Sequence, residues 1–101
     1  MVLNFSDFGE SLGTRKLGSE IRKGVILNIS AQGKIVFDFR GIDVISNSFA
    51  DECFGKLIDE IGITLAKQKT TFTNANSKVS FVIRKAMSDR LRINSKKASC
   101  S

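Results

Sequence analysis

The chain has 101 residues, 42% of them hydrophobic, and a formal charge of +6 with no histidine and no proline. That suits one domain with a single core and excludes a membrane span, since no apolar run is long enough. The missing histidine removes the commonest general base and metal ligand, and the distant Cys53 and Cys100 give neither a zinc spacing nor a disulfide framework.

In chain order, Met1 to Phe8 alternates loosely, with Leu3 and Phe5 on one side, and predicts a first strand. Gly9 to Gly13 reads as a turn. From Thr14 to about Ile29 the positions Leu17, Gly18, Ile21, Val25 and Ile29 form a helical stripe, with Gly18 suited to a close approach to the sheet. Arg15 sits at this helix's start, where the dipole disfavours a cation. It reads as a solvated side chain or as the partner of a carboxylate such as Asp38. Lys34 to Phe39 is a short apolar, β-branched and aromatic run, the pattern of a strand buried on both faces. Arg40-Gly41 breaks it, and Ile42 to Ile45 is a brief extended return.

A second helix is expected from Ser48 as N-cap, with Asp51 three residues on and Gly62 as its stop. Its stripe is Ala50, Cys53, Phe54, Leu57, Ile58 and Ile61, with Phe49 off it. Ile63 to Gln68 is poorly patterned, a loop or a brief strand. Lys69 to Asn74 predicts a third strand. Asn76 caps a last helix whose stripe is Val79, Val82, Ile83, Ala86, Met87 and Leu91, with Phe81 off it. The fold class is α/β: a small, mostly parallel sheet in β-α-β-α-β-α order with three principal helices. One domain covers 1–93, and 94–101 reads as a disordered polar and basic tail.

The run Asp38-Phe39-Arg40-Gly41-Ile42-Asp43-Val44-Ile45-Ser46-Asn47-Ser48 resembles the core of STAS domains, the fold of bacterial anti-sigma factor antagonists. There a strand ends in Asp, x-x-Gly-Val comes next, and Asp-Ser-Ser-Gly opens a helix. In register, Ser46 stands for the Asp, Asn47 and Ser48 for the serines, and Phe49 for the Gly. The version here, with Gly13-Thr14-Arg15-Lys16-Leu17-Gly18 before the first helix, is more similar to a divergent STAS-like family of unknown function. The resemblance covers roughly residues 1 to 92. It implies a regulatory module that docks a protein partner, such as a histidine-kinase-like ATPase, through the turn and start of the second helix. The candidate partner-binding residues are then Ser46, Asn47, Ser48, Phe49, Asp51 and Glu52. The serine that the kinase modifies in anti-sigma antagonists is Asn47 here, which leaves Ser48 and Ser46 as the candidate phosphorylation positions.

No GxSxG elbow, P-loop or GxGxxG after a strand occurs, so the expectation is a non-enzyme without cofactor or metal. The start, MVLNFSDFGE, lacks the basic and apolar regions of a signal peptide, and a reducing, cytoplasmic setting is expected. Residues 1 to 66 sum to −2 and residues 67 to 101 to +8. The basic third is either a solvated face or, as the alternative function, a nucleic-acid-binding surface. No aromatic is interleaved with the basic run near the C-terminus, which counts against nucleic acid. A short sheet with open edges, with Phe49 and Phe81 off their stripes, also leaves a homodimer open.

Overall fold

The run from Ile35 to Asp38 does form the central strand, β3, in a computed structural model that describes residues 1–8 and 11–100. It pairs in parallel with β1 (Val2–Asn4) on one side and β5 (Thr70–Thr73) on the other, with Phe37 opposite both Leu3 and Phe72. Both connections between these parallel strands run through helices, as parallel pairing requires. The expected first strand is cut short. Phe5 to Phe8 turns into a 3-10 helix, which carries the Phe5 ring onto Phe39, stacked at 4.5 Å between centroids. Of the turn expected at Gly9 to Gly13, Gly9 and Glu10 lie outside the described residues. Ser11–Leu12 forms β2, which pairs in parallel with β4 (Val44–Ile45) as a separate two-stranded ladder.

The first helix, α1 (Arg15–Gln32), is capped by Thr14, whose hydroxyl accepts from the Leu17 N–H at 3.2 Å. Ile21, Val25 and Ile29 are buried beneath it. Gly18 makes its close approach to a helix and not to the sheet. A Cβ there would lie 3.0 Å from the Phe49 carbonyl oxygen and 3.1 Å from Glu52 Cβ.

The second principal helix runs without a break as α2 (Asn47–Ala50), a π-helical turn (Asp51–Gly55) and α3 (Lys56–Ile61). The π turn explains the fate of Phe49. In a regular α-helix Phe49 and Phe54, five residues apart, would point about 140° from each other. The wider i→i+5 turn brings both into the core, where each has no exposed surface. The expected placement of Phe49 off the stripe is therefore corrected, while Ala50, Cys53, Phe54, Leu57 and Ile58 are buried as expected. Phe5, Phe37, Phe39, Phe49, Phe54 and Phe72 form one contiguous aromatic cluster, with Phe54 edge-on to Phe37 at 5.5 Å and to Phe49 at 6.2 Å.

Ile63–Lys69, expected as loop or strand, is a short helix, α4, that buries Ala66 and leads directly into β5. The last helix, α5 (Ser77–Cys100), starts as expected, with Asn76 Oδ1 accepting from the Val79 N–H at 2.8 Å. Its backbone continues through residues 94–100, where composition suggested an unstructured tail; Ser101 lies outside the described residues. Val79, Ile83 and Ala86 are buried, while Phe81 is 63% exposed. Among the described residues, no helix is long and apolar enough to cross a membrane.

Candidate functional site

Asp38 ends β3 and shapes the turn that leads to the second helix. Its Oδ1 accepts from the Arg40 N–H and from Asn74 Nδ2, each at 2.9 Å, and these bonds, Asn74 first, lower its pKa. The Ile42 N–H returns to the Phe39 carbonyl at 3.0 Å, and Gly41 takes φ +84°, which a type II turn asks of its third residue. The chain then enters the β2–β4 ladder, where the Ser46 N–H donates to the Leu12 carbonyl at 2.9 Å. This ladder holds Ser46 at the mouth of α2.

Ser46, and not Ser48, is the N-cap: its Oγ accepts from the Phe49 N–H at 3.0 Å and donates to the Gly13 carbonyl at 3.0 Å. Capping by Ser46 frees Ser48, which is exposed together with Asn47. These two residues, with Arg15 and Asp51, line a polar cleft of about 190 Å³ whose other wall is α5, through Val82, Lys85, Ala86 and Asp89.

Beneath the cleft lies a web of ion pairs. Arg15 Nη1 reaches Asp51 Oδ2 at 3.1 Å and Glu52 Oε1 at 3.4 Å, so its partner is the first turn of the second helix and not Asp38. Arg90, from α5, grips Asp51 with two parallel bonds of 2.9 and 2.8 Å and also reaches Asp59 at 3.1 Å. Such a two-pronged pair is stronger and more directional than a point contact. Asp51 is accordingly held below the ordinary carboxylate range, first by Arg90 and then by Arg15.

Glu52 points inward. Arg22 Nη1 donates to its Oε2 at 2.7 Å and also to its carbonyl oxygen, and Lys56 Nζ sits 3.0 Å from Oε1. Both Arg22 and Glu52 side chains are 9% exposed. The Arg22 bond is the main cause that lowers the Glu52 pKa to about 2. Arg22 Nε lies 3.0 Å from Glu60 Oε1, an ion-pair distance, but its N–H is poorly aimed and makes no hydrogen bond. Cys53, next along, is a free thiol whose pKa burial pushes far up, so it is inert as a nucleophile.

The six residues expected to bind a partner are thus divided. Asn47 and Ser48 face solvent, Ser46 and Asp51 are half-buried at the rim, and Phe49 and Glu52 face inward. Sequence reading missed Arg22 and the role of Arg90. A signal was present: Arg15, Gly18 and Arg22 recur at i, i+3 and i+7, one helix face with a gap in the middle for another helix. Of the basic cluster on α5, Arg90 is engaged internally, while Lys85 and Arg92 pair with Asp89 at 3.5 Å.

No curated protein and no solved structure matches this chain. A family model does: STAS-like domain of unknown function (DUF4325) matches residues 18–80, well over half of the chain. The match begins at Gly18, the contact between α1 and the second helix, takes in the Asp38 turn and the Ser46 cap, and ends in the first turn of α5. With its small, mostly parallel sheet and several helices consistent with a STAS-like fold, the chain belongs to this family of STAS-like domains of unknown function.

Proposed function

We propose that the protein is a non-catalytic regulatory module that docks a partner protein through the Ser46 turn and the exposed start of α2. The observation that carries this reading is the display of Asn47 and Ser48 at the polar cleft, on a helix start fixed by the Ser46 cap and by the Arg15 and Arg90 pairs to Asp51. A surface held this rigidly loses little freedom on binding. The site sits beyond the carboxyl end of β3, where parallel sheets place their binding surfaces. The partner class that the STAS likeness suggests is a histidine-kinase-like ATPase.

Docking is unmodified in this reading. A phosphate on Ser46 would remove the cap that Phe49 N–H and Gly13 depend on. One on Ser48 would meet Asp51 and Asp89 together with Arg15 and Lys85, which those carboxylates already engage. Glu52 and Phe49 support the surface from behind without touching the partner.

The test is to isolate a partner from cell extract, identify it, and measure its binding to purified Asn47→Arg and Ser48→Asp variants. Both substitutions are at exposed positions, so circular dichroism should be unchanged while binding weakens about tenfold or more, the range of interface hot spots. Two folded variants that bind as wild type would overturn this surface assignment.

A further inference from the structure

On α5, a second face, which shares Lys85 and Asp89 with the cleft, stands in solvent. Phe81 is 63% exposed, more than any other aromatic among the described residues. It shares an open, shallow patch of this one helix with Arg84, Lys85, Ser88, Asp89 and Arg92. Positions 81, 84, 85, 88 and 92 share one helix face. The Lys85 and Arg92 side chains are 55% and 69% exposed, and Arg84 is exposed as well. Asp89 touches both Lys85 and Arg92 at 3.5 Å; ion pairs this exposed contribute little and exchange readily for a stronger anion. In the linear sequence the basic run lacked an aromatic. On the helix, Phe81 stands one turn from Arg84 and Lys85, and the objection disappears.

We propose that this face of α5 binds single-stranded nucleic acid, a base stacking on the Phe81 ring while Arg84, Lys85 and Arg92 hold phosphates. A helix rises about 1.5 Å per residue, so Arg84 to Arg92 spans about 12 Å. That is room for roughly three phosphates of one strand. This face favours a base over an acidic protein segment: carbon stems of the basic side chains flank the Phe81 ring, but the patch is open and forms no enclosing pocket for a protein anchor. A stacked base needs only a ring face and flanking cations.

The experiment uses the full chain and a fluorescein-labelled oligothymidylate of about fifteen nucleotides, close to the upper site size of one binding domain. Anisotropy is followed as sodium chloride is raised. Three phosphate contacts predict a log–log salt slope of about −2. Phe81→Ala should weaken binding about 5- to 100-fold and leave the slope in place. Arg84→Gln combined with Arg92→Gln should flatten the slope. The chain contains neither Trp nor Tyr. Phe81→Trp should therefore bind, and its indole emission should be quenched as the strand is added. No binding at low salt, or a folded Phe81→Ala variant that binds as wild type, overturns the proposal. Displacement of the labelled strand by polyglutamate as readily as by unlabelled strand also overturns it, in favour of an acidic protein. A preference for duplex over single strand would remove the stacking role and overturn it as well.

Discussion

Two glycines in α1 should respond with opposite sign to the same substitution. Gly→Ala in a helix interior is favourable by up to about 1 kcal/mol, because alanine has less backbone freedom to lose. At Gly24 nothing lies within 4 Å of the new Cβ, so Gly24→Ala should stabilise by about 0.4–1 kcal/mol. At Gly18 the Cβ would meet the Phe49 carbonyl oxygen at 3.0 Å, Glu52 Cβ at 3.1 Å and the Cys53 backbone nitrogen at 3.3 Å. Two of these three atoms are helix backbone and cannot rotate away. Overpacking of this kind costs about 1–3 kcal/mol, which outweighs the helix gain. Gly18→Ala should therefore destabilise by up to about 2 kcal/mol. Urea melts of the wild type and both variants give the answer through their midpoints, provided the slopes agree. If Gly18→Ala raised the midpoint as far as Gly24→Ala does, α1 would not meet the second helix at this distance, and the geometry of the cleft would be wrong.

Glu52 makes stability depend on acid. Its pKa is lowered from 4.5 to about 2 on folding, so its contribution is fully present above about pH 4.5 and is lost as pH falls through about 2. The shift amounts to at most about 3 kcal/mol. Unfolding free energy measured from pH 7 to pH 2 should drop less steeply in Glu52→Gln than in wild type, and parallel curves would remove Glu52 from the account. Arg15→Ala should destabilise the fold more than Lys16→Ala, since it takes a cation from both Asp51 and Glu52. Equal small effects in thermal melts would return Arg15 to the solvated surface.

Much of the frame was legible because long patterns carry it. The β3 run, the α1 stripe and the Asn76 cap each rest on several residues that agree, and each appears where expected. What escaped was short or non-local. A ladder of two residues on each side, β2 with β4, has no period to detect. The seven-residue α4 offers barely two turns of pattern. At the candidate site, sequence named the segment from Ser46 to Glu52 but took Phe49 and Glu52, which face inward, as surface side chains, and took the wrong serine for the cap. Ser46 and Ser48 are both acceptable caps by residue type, and tertiary pairing of β4 decides between them. The Arg22–Glu52 pair joins residues distant along the chain, and only the helix crossing at Gly18 makes it visible.

The π turn at Asp51–Gly55 has a consequence for comparing this chain with relatives. Phe49-Ala50, Cys53-Phe54 and Leu57-Ile58 recur as apolar pairs every four residues, a longer period than the 3.6 of a regular helix. Without the wide turn, the pairs at the two ends would drift apart by about 80°. A relative that builds this helix as plain α needs one residue fewer between its capping serine and the Leu57-Ile58 pair. An alignment forced through the segment without a gap would then match inward-facing side chains with outward-facing ones on one side of the turn. Whether a homologue's residue equivalent to Asn47 or Ser48 faces the cleft is thus a matter of helix phase, to be settled at residues 51–55 before any motif is compared.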